Sequence, residues 1–441
     1  MKQHAFLQQP ELPFVEVIGS LTSKFSELWI SLPNSSFPSS RVYSDGEQRE
    51  NGEKFERLMS DAAIGTESQS DAEARIRGLR NRIRGLVLET AEGEERDQMK
   101  GMLSAFSDAG DEFVRRAREF DRTLSLEGIF QALRNLWIIN SMQEAFGVPV
   151  CVTPSALAYS LLYTYTDNFL DDVNVSPESK RGFNDIFGQR LEGYDVPQDS
   201  RRISKVSALV GLIESEYPRR LFPGVYASLL AIHRAQQMSL LQRQTTPSGC
   251  GRDILTISVE KGGTSVVADA YVTKGWLAPA ETDFAFGYGV FLQFIDDLQD
   301  VTEDMKGASE TLFTHARSTG TLDRTTNQLV HYLRQILFAG TPLKGPKAEA
   351  LTDLIHRGSL GLILESVALN AQMFNRDYLK AVERYSPIRF ETIRSLHSKR
   401  SSLQHRFNHQ ARNLDRLKSR AANRPSDGMK ELRALARASK R

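Results

Sequence analysis

The chain has 441 residues, 40% hydrophobic and 25% charged, with 30 Gly and 2 Cys. That balance excludes a wholly disordered chain, a collagen-like repeat and a disulfide scaffold, and it is enough for a large apolar core. The net charge of +1 hides an asymmetry, because residues 397–441 hold 13 Lys/Arg against 3 Asp/Glu and leave the preceding 396 residues at −9.

No apolar run approaches the roughly 20 residues that span a bilayer, and the opening MKQHAFLQQPELPF has neither a basic nor an apolar signal region, so a cytoplasmic protein is expected. Residues 1–97 are expected to form a helical or flexible extension. Within and just around it, residues 34–80, with PNSSFPSS and SDGEQRENGEK, are too polar and too weakly periodic for a packed element and read as linker or a poorly packed arm. Over 98–395 apolar residues recur at three- and four-residue spacing between short Pro/Gly breaks, which predicts an all-α body. Ser125 opens one helix with Ile129, Phe130, Leu133, Leu136 and Trp137 on one side, and Gly147-Val148-Pro149 stops it. Thr153-Pro154 opens the next as N-cap and first helical residue. Cys151 and Cys250 form neither a metal pair nor a framework and read as reduced thiols. For the basic tail, 396–441, three readings stay open: a solvated tail without partner, weak contact with a membrane surface and, least expected, nucleic acid.

Two acidic clusters carry the chemistry. In the helix opened by Thr153, Leu157, Leu161, Tyr165 and Phe169 form the packing stripe, while Asp167 and Asp171, four apart, stack on a second face that also holds Tyr163 and Ser160. In TDFAFGYGVFLQFIDDLQDVTEDMKG, Asp296, Asp300 and Asp304 follow at four-residue steps with Asp297 beside them, after a run of aromatic residues that wraps most of the helix. Carboxylates entering such a core raise each other's pKa unless a cation neutralises them. Hard divalent Mg²⁺ suits an all-oxygen donor set, and the absence of a Cys/His cluster argues against zinc. Gly287 and Gly289, inside this helix, imply close packing or room for a ligand.

These residues resemble the class I isoprenoid synthases, the superfamily of trans-prenyl diphosphate synthases and class I terpene cyclases, over roughly 120–390. Asp167-Asn168-Phe169-Leu170-Asp171 is similar to the family's DDxxD with Asn in second place, and Asp172 is an alternative ligand. Gln236-Gln237 and Lys261-Gly262-Gly263-Thr264 follow in family order, and FLQFIDDLQD, 291–300, is similar to FQxxDDxxD. Arg384-Tyr385 resembles the diphosphate-binding Arg-Tyr pair of bacterial cyclases.

The resemblance implies a helical bundle around a central apolar cavity. It implies Mg²⁺ held by Asp167, Asp171, Asp296, Asp300 and Asp304, with the diphosphate of an allylic prenyl substrate met by Lys261, Lys306, Arg384 and Tyr385. Tyr163, Phe169, Tyr288 and Phe291 would stabilise the allylic cation. A homodimer is also implied. The GGKRxRP segment of elongating enzymes has no counterpart beyond Arg134, and Lys180-Arg181 is a partial version of their arginine pair, so a terpene synthase is expected before a chain-elongating enzyme. A non-catalytic helical scaffold with a basic binding tail is the third reading.

Overall fold

Apolar residues three and four apart can be buried together only on a helix, and that rule governs the whole described chain. A computed structural model describes residues 14–38, 41–63, 93–172, 174–239, 254–339 and 348–398. Every regular element among them is helical, as the sequence predicts. None of these helices is long and apolar enough to cross a membrane. Two compact units divide the chain, one of Met1–Val42 with Arg77–Tyr385 and one of Tyr43–Ile76 with Ser386–Arg441.

In the second unit, helix α2 (Asp45–Ala63) occupies part of the stretch that composition assigns to linker. Its start is a capping box: the Glu47 carboxylate accepts the Ser44 N–H at 2.7 Å and the Ser44 hydroxyl accepts the Glu47 N–H at 3.3 Å. Side chains of α2 then satisfy the chain at 386–389. Gln48 donates to the Ser386 carbonyl, Asn51 to the Pro387 carbonyl, and Arg389 pairs with Asp45 at 3.0 Å. Polar residues here make contacts of their own, which an apolar-periodicity argument does not register.

The first unit is built around α9 (Ile254–Lys274) and α10 (Pro279–Gln299). Apolar and small residues surround α9 on all sides, as a central helix requires. The two helices meet backbone to backbone. A Cβ on Gly289 would collide with the Gly262 carbonyl oxygen, one on Gly262 would come to 2.6 Å from the Gly289 carbonyl oxygen, and one on Gly263 would enter the Phe286 ring. Gly287 serves a different neighbour, leaving room for Phe25 and Ile336. The N-terminal helix α1 (Phe14–Ser31) covers this pair: Phe25 stacks on Phe286 at 5.5 Å and Trp29 meets the Phe294 edge at 4.5 Å.

Helices α4 (Leu126–Ala145) and α5 (Pro154–Asp171) also pack against α9, and α3 (Gly93–Phe120) packs against α4 and α5. Ser125 and Thr153 cap α4 and α5 as the sequence predicts, accepting the N–H of Gly128 and Ala156. Gly128 lets α5 approach, since a Cβ there would meet the Thr164 methyl at 2.8 Å. The far end of α5 is tied down by Asp121. This buried carboxylate accepts the Thr123 N–H and hydroxyl, the Tyr165 hydroxyl and the guanidinium of Arg201, which begins α7 (Arg201–Glu216). Burial pushes the Asp121 carboxyl up, but the hydrogen bonds from Thr123 and Tyr165 and the charge of Lys205 outweigh it and hold it at about 2.

Gly289→Ala forces α9 and α10 apart and should lower stability by about 1–3 kcal/mol in urea unfolding. Gly211→Ala, in the middle of α7 with nothing within 4 Å of the added methyl, should raise it by about 0.5–1 kcal/mol. Because the Asp121 carboxyl sits below its unfolded value, its stabilisation is present above about pH 4 and lost as pH falls toward 2. Asp121→Asn should therefore cost about 1–3 kcal/mol at pH 7, and thermal melts of mutant and wild type should converge as pH drops through that window.

Candidate functional site

The second acidic cluster lies where α10 ends. Asp300 is the joint between α10 and the short α11 (Val301–Lys306), with φ −93 and ψ 5. The hydrogen-bond ladder carries through: the Asp300 N–H reaches the Asp296 carbonyl at 2.9 Å and the Asp304 N–H reaches that of Asp300 at 2.8 Å. The four-residue spacing thus survives what the sequence reads as one continuous helix.

Burial differs along the row. Asp296 is exposed, yet the protein around it desolvates the carboxyl and pushes it up against the pull of Lys261 and Arg134. Asp300 is also exposed, and burial together with Asp296, Asp304 and Glu303 raises it to about 6 while Arg134 opposes. Asp304 is half-buried. Asp297 is 5% exposed, takes a hydrogen bond from Gln293 at 2.7 Å on one oxygen, and buries the other, Oδ2, without a hydrogen-bond partner among the described residues. Burial raises it to about 7, eased by Gln293 and Lys261 and reinforced by Asp296 and Asp304. An unpartnered buried carboxylate oxygen costs free energy, so Asp297 has unmet demand for a donor or a positive charge.

Asp167 and Asp171 lie on the last turns of α5, and their side chains fall outside the described residues. Asn168 between them is fixed: its amide donates to Gln131 of α4 at 3.1 Å. Asp172 turns back on its own chain and accepts two hydrogen bonds from Asn174, which, with Lys180 and Arg202 nearby, lower its carboxyl.

The expected cations separate into two groups. Lys261, half-buried on α9, acts on Asp296 and Asp297. Lys306 is exposed at the end of α11, 3.4 Å from Glu303. Arg384 caps α15 (Arg376–Glu383) and lies over the ring of Tyr385, which stacks at 5.5 Å on Phe37 of the N-terminal segment. Among the charges that shift Asp296, Asp297 and Asp300, the cations are Lys261 and Arg134. Gln237 contacts His233 at 3.2 Å within its own helix, α8 (Pro223–Ser239). Of the four aromatic residues expected at the cation, Tyr163 is 42% exposed, Phe169 is half-buried against Phe183, and Tyr288 and Phe291 are sealed in the core.

Three side chains were misread or passed over. The buried stripe of α4 is Ile129, Ala132, Leu136 and Ile139, and Phe130 and Trp137, expected on that stripe, are exposed instead. Phe130, Arg134 and Trp137 share one face at i, i+4 and i+7, and the small residue Ala132 on the opposite side is the sequence signal that this helix buries the other stripe. Asp269 of α9 is fully buried and accepts a hydrogen bond from Asn135 of α4 at 2.9 Å; burial pushes its carboxyl well up, with the Asn135 bond opposing.

Among the described residues no three His, Cys, Asp or Glu side chains converge as a metal site. Comparison of the chain with protein-family models, with curated proteins and with solved structures finds no match.

A carboxyl raised in the fold binds its proton more tightly folded than unfolded, so the contribution of Asp297 and Asp300 to stability is greatest below about pH 4 and declines as pH rises from there through their folded values of about 7 and about 6. Asp297→Asn removes that loss and should stabilise the protein at pH 8 by roughly 1–3 kcal/mol, with the difference from wild type shrinking steadily as pH falls and nearly gone by about pH 4. Equilibrium unfolding at the two pH values checks the sign.

Proposed function

We propose that this chain is a class I terpene synthase that ionises a linear allylic prenyl diphosphate with Mg²⁺ and releases diphosphate. The observation that carries the reading is the row of Asp296, Asp300 and Asp304 near Lys261, where the carboxyls of Asp296, Asp297 and Asp300 are raised and the Asp297 Oδ2 is buried without a hydrogen-bond partner among the described residues. The finer fold, a class I isoprenoid synthase bundle around an apolar cavity, belongs to the same proposal. Its support is the all-helical body, the central α9–α10 pair and the motif order from Asp167 through Lys261 to Asp300.

In this reading Asp296, Asp300 and Asp304 from α10 and α11, with Asp167 and Asp171 from α5, hold the metal through oxygen donors alone, which fits Mg²⁺. Bound there, Mg²⁺ supplies Lewis-acid stabilisation of the leaving diphosphate. Lys261 adds a positive charge near the row, where partial burial strengthens its field. Lys306, Arg384 and Tyr385 would join it, and in this structure Lys306 pairs with Glu303, Arg384 lies over the Tyr385 ring and Tyr385 stacks on Phe37. Tyr163 on α5, and Phe130 and Trp137 on α4, offer open aromatic faces to an apolar chain and to a cation formed on it. The packed interior of the α9–α10 pair excludes water behind the row.

Purified protein incubated with Mg²⁺ and allylic diphosphates of ten, fifteen and twenty carbons should release diphosphate and form a hydrocarbon or terpene alcohol without isopentenyl diphosphate. Asp296→Ala and Asp167→Ala should each lose at least roughly 100-fold in turnover while melting cooperatively. Longer diphosphates formed only with isopentenyl diphosphate would replace the reading by chain elongation. Absence of turnover with every substrate would overturn both.

A further inference from the structure

The helix joint at Asp300 is bridged by a side chain from a distant part of the sequence. Asn370, directly after α14 (Ala348–Leu369), is 5% exposed and engages both polar atoms of its side chain. Its amide nitrogen donates to the Leu298 carbonyl at 3.4 Å and to the Ser366 carbonyl at 3.2 Å, and its amide oxygen accepts the Thr302 hydroxyl at 2.8 Å. Leu298 lies in α10 and Thr302 in α11, one on each side of Asp300, so a single side chain spans the break. The bonds to Ser366 anchor it to α14, since the Asn370 N–H also reaches that carbonyl, at 3.0 Å. The other end of α11 is held differently. Ala308 adopts φ 52, in the left-handed region that favours glycine, and the turn it makes brings the Ser309 N–H to the Asp304 carbonyl at 2.9 Å. Such strain persists only where surrounding contacts fix it. The short helix that carries Asp304 is thus fastened at both ends.

Resting on the reading of this row as a metal centre, we propose that Asn370 is its positioning residue: by tying both limbs of the joint to α14, it sets how Asp300 and Asp304 follow Asp296. An amide suits the task because it donates to a carbonyl and accepts from a hydroxyl at once, whereas an ionised aspartate of the same shape could only accept. The clamp itself stands on hydrogen bonds and not on the metal. Its consequence for the metal follows from coordination chemistry. Mg²⁺ demands near-octahedral oxygen geometry, and Ca²⁺ accepts larger and less regular oxygen cages. A loosened joint therefore costs Mg²⁺ affinity more than Ca²⁺ affinity, a distinction that general loss of stability would not produce.

Two measurements on the full chain test this, with Thr302→Val as the mild variant beside Asn370→Ala. In hydrogen exchange read by mass spectrometry without metal, both variants should speed exchange across 300–306 by about 5- to 50-fold. Exchange in α5 and α9 should stay as in wild type. Thr302→Ser, which keeps the hydroxyl, should match wild type throughout. In calorimetric titrations with Mg²⁺ and with Ca²⁺, each in the presence of inorganic diphosphate, Thr302→Val and Asn370→Ala should bind Mg²⁺ at least about 10-fold more weakly. Their Ca²⁺ affinity should change less than about 3-fold. Unchanged exchange at 300–306 in Thr302→Val would overturn the clamp. Faster exchange with the Mg²⁺-to-Ca²⁺ affinity ratio of wild type would overturn the positioning role while leaving the metal reading in force. A wild type that binds neither cation would overturn the metal reading and the positioning role together.

Discussion

The contact between Gly262 and Gly289 sets the geometry on which the site depends. Helices packed through ordinary side chains stand 8–10 Å apart, and these two approach until each glycine's missing Cβ is occupied by the other's backbone. Lys261 directly precedes one member of the pair, and Asp296 and Asp297 lie about two turns beyond the other. Gln293 packs on Gly262 as well, since a Cβ there would reach the Gln293 Cβ at 2.6 Å, and Gln293 is the residue that hydrogen-bonds Asp297. One backbone contact thus fixes the ammonium, the amide and the carboxylate relative to each other. A glycine inside a helix costs about 1 kcal/mol against alanine, and here the return is proximity.

Two buried aspartates show what that proximity does. Asp269 and Asp297 are nearly sealed from solvent, and each has a side-chain amide as hydrogen-bond donor, Asn135 for one and Gln293 for the other. A protonated carboxyl and an amide suit each other in a low-dielectric interior, where an isolated charge is expensive. Asp269 uses the pairing to pin α4 to α9, and the Asn135 hydrogen bond opposes the upward push of burial. Asp297 feels Lys261, Asp296 and Asp304 as well and keeps an oxygen without a partner. The first is a structural pin; the second keeps an oxygen still short of compensation.

The sequence made the helical class legible because apolar periodicity and capping are local. Ser125 and Thr153-Pro154 announce their helices within four residues, and the structure uses those caps. Gly287 and Gly289 announce close packing, though not that one faces Phe25 and the other Gly262. The start of α2 was equally local, since Ser44 and Glu47 spell a capping box, but a polar composition outweighed it. What stayed illegible depends on tertiary partners. Four-residue spacing put Asp296, Asp300 and Asp304 in a row without saying that Asp297 is the buried one, or that the helix is jointed at Asp300. Nor could it say that Tyr385 would stack on a residue almost 350 positions earlier, Phe37.

The face of α4 joins the fold to the chemistry. That helix has two apolar stripes, and the one it buries contains Ala132 and Leu136, while the one with Phe130 and Trp137 stays open around a cation. Burying the larger aromatic pair would have removed more apolar area from water, so hydrophobic burial within α4 alone does not account for the choice. The flanking contacts do: Gly128 admits Thr164, Gln131 meets Asn168 and Asn135 meets Asp269, and any rotation of α4 that buried Trp137 would break all three and draw Arg134 away from Asp296 and Asp300. Polar and close-packing constraints have thus outweighed apolar area. The outcome is an exposed face on which the aromatic rings of Phe130 and Trp137 flank the Arg134 guanidinium.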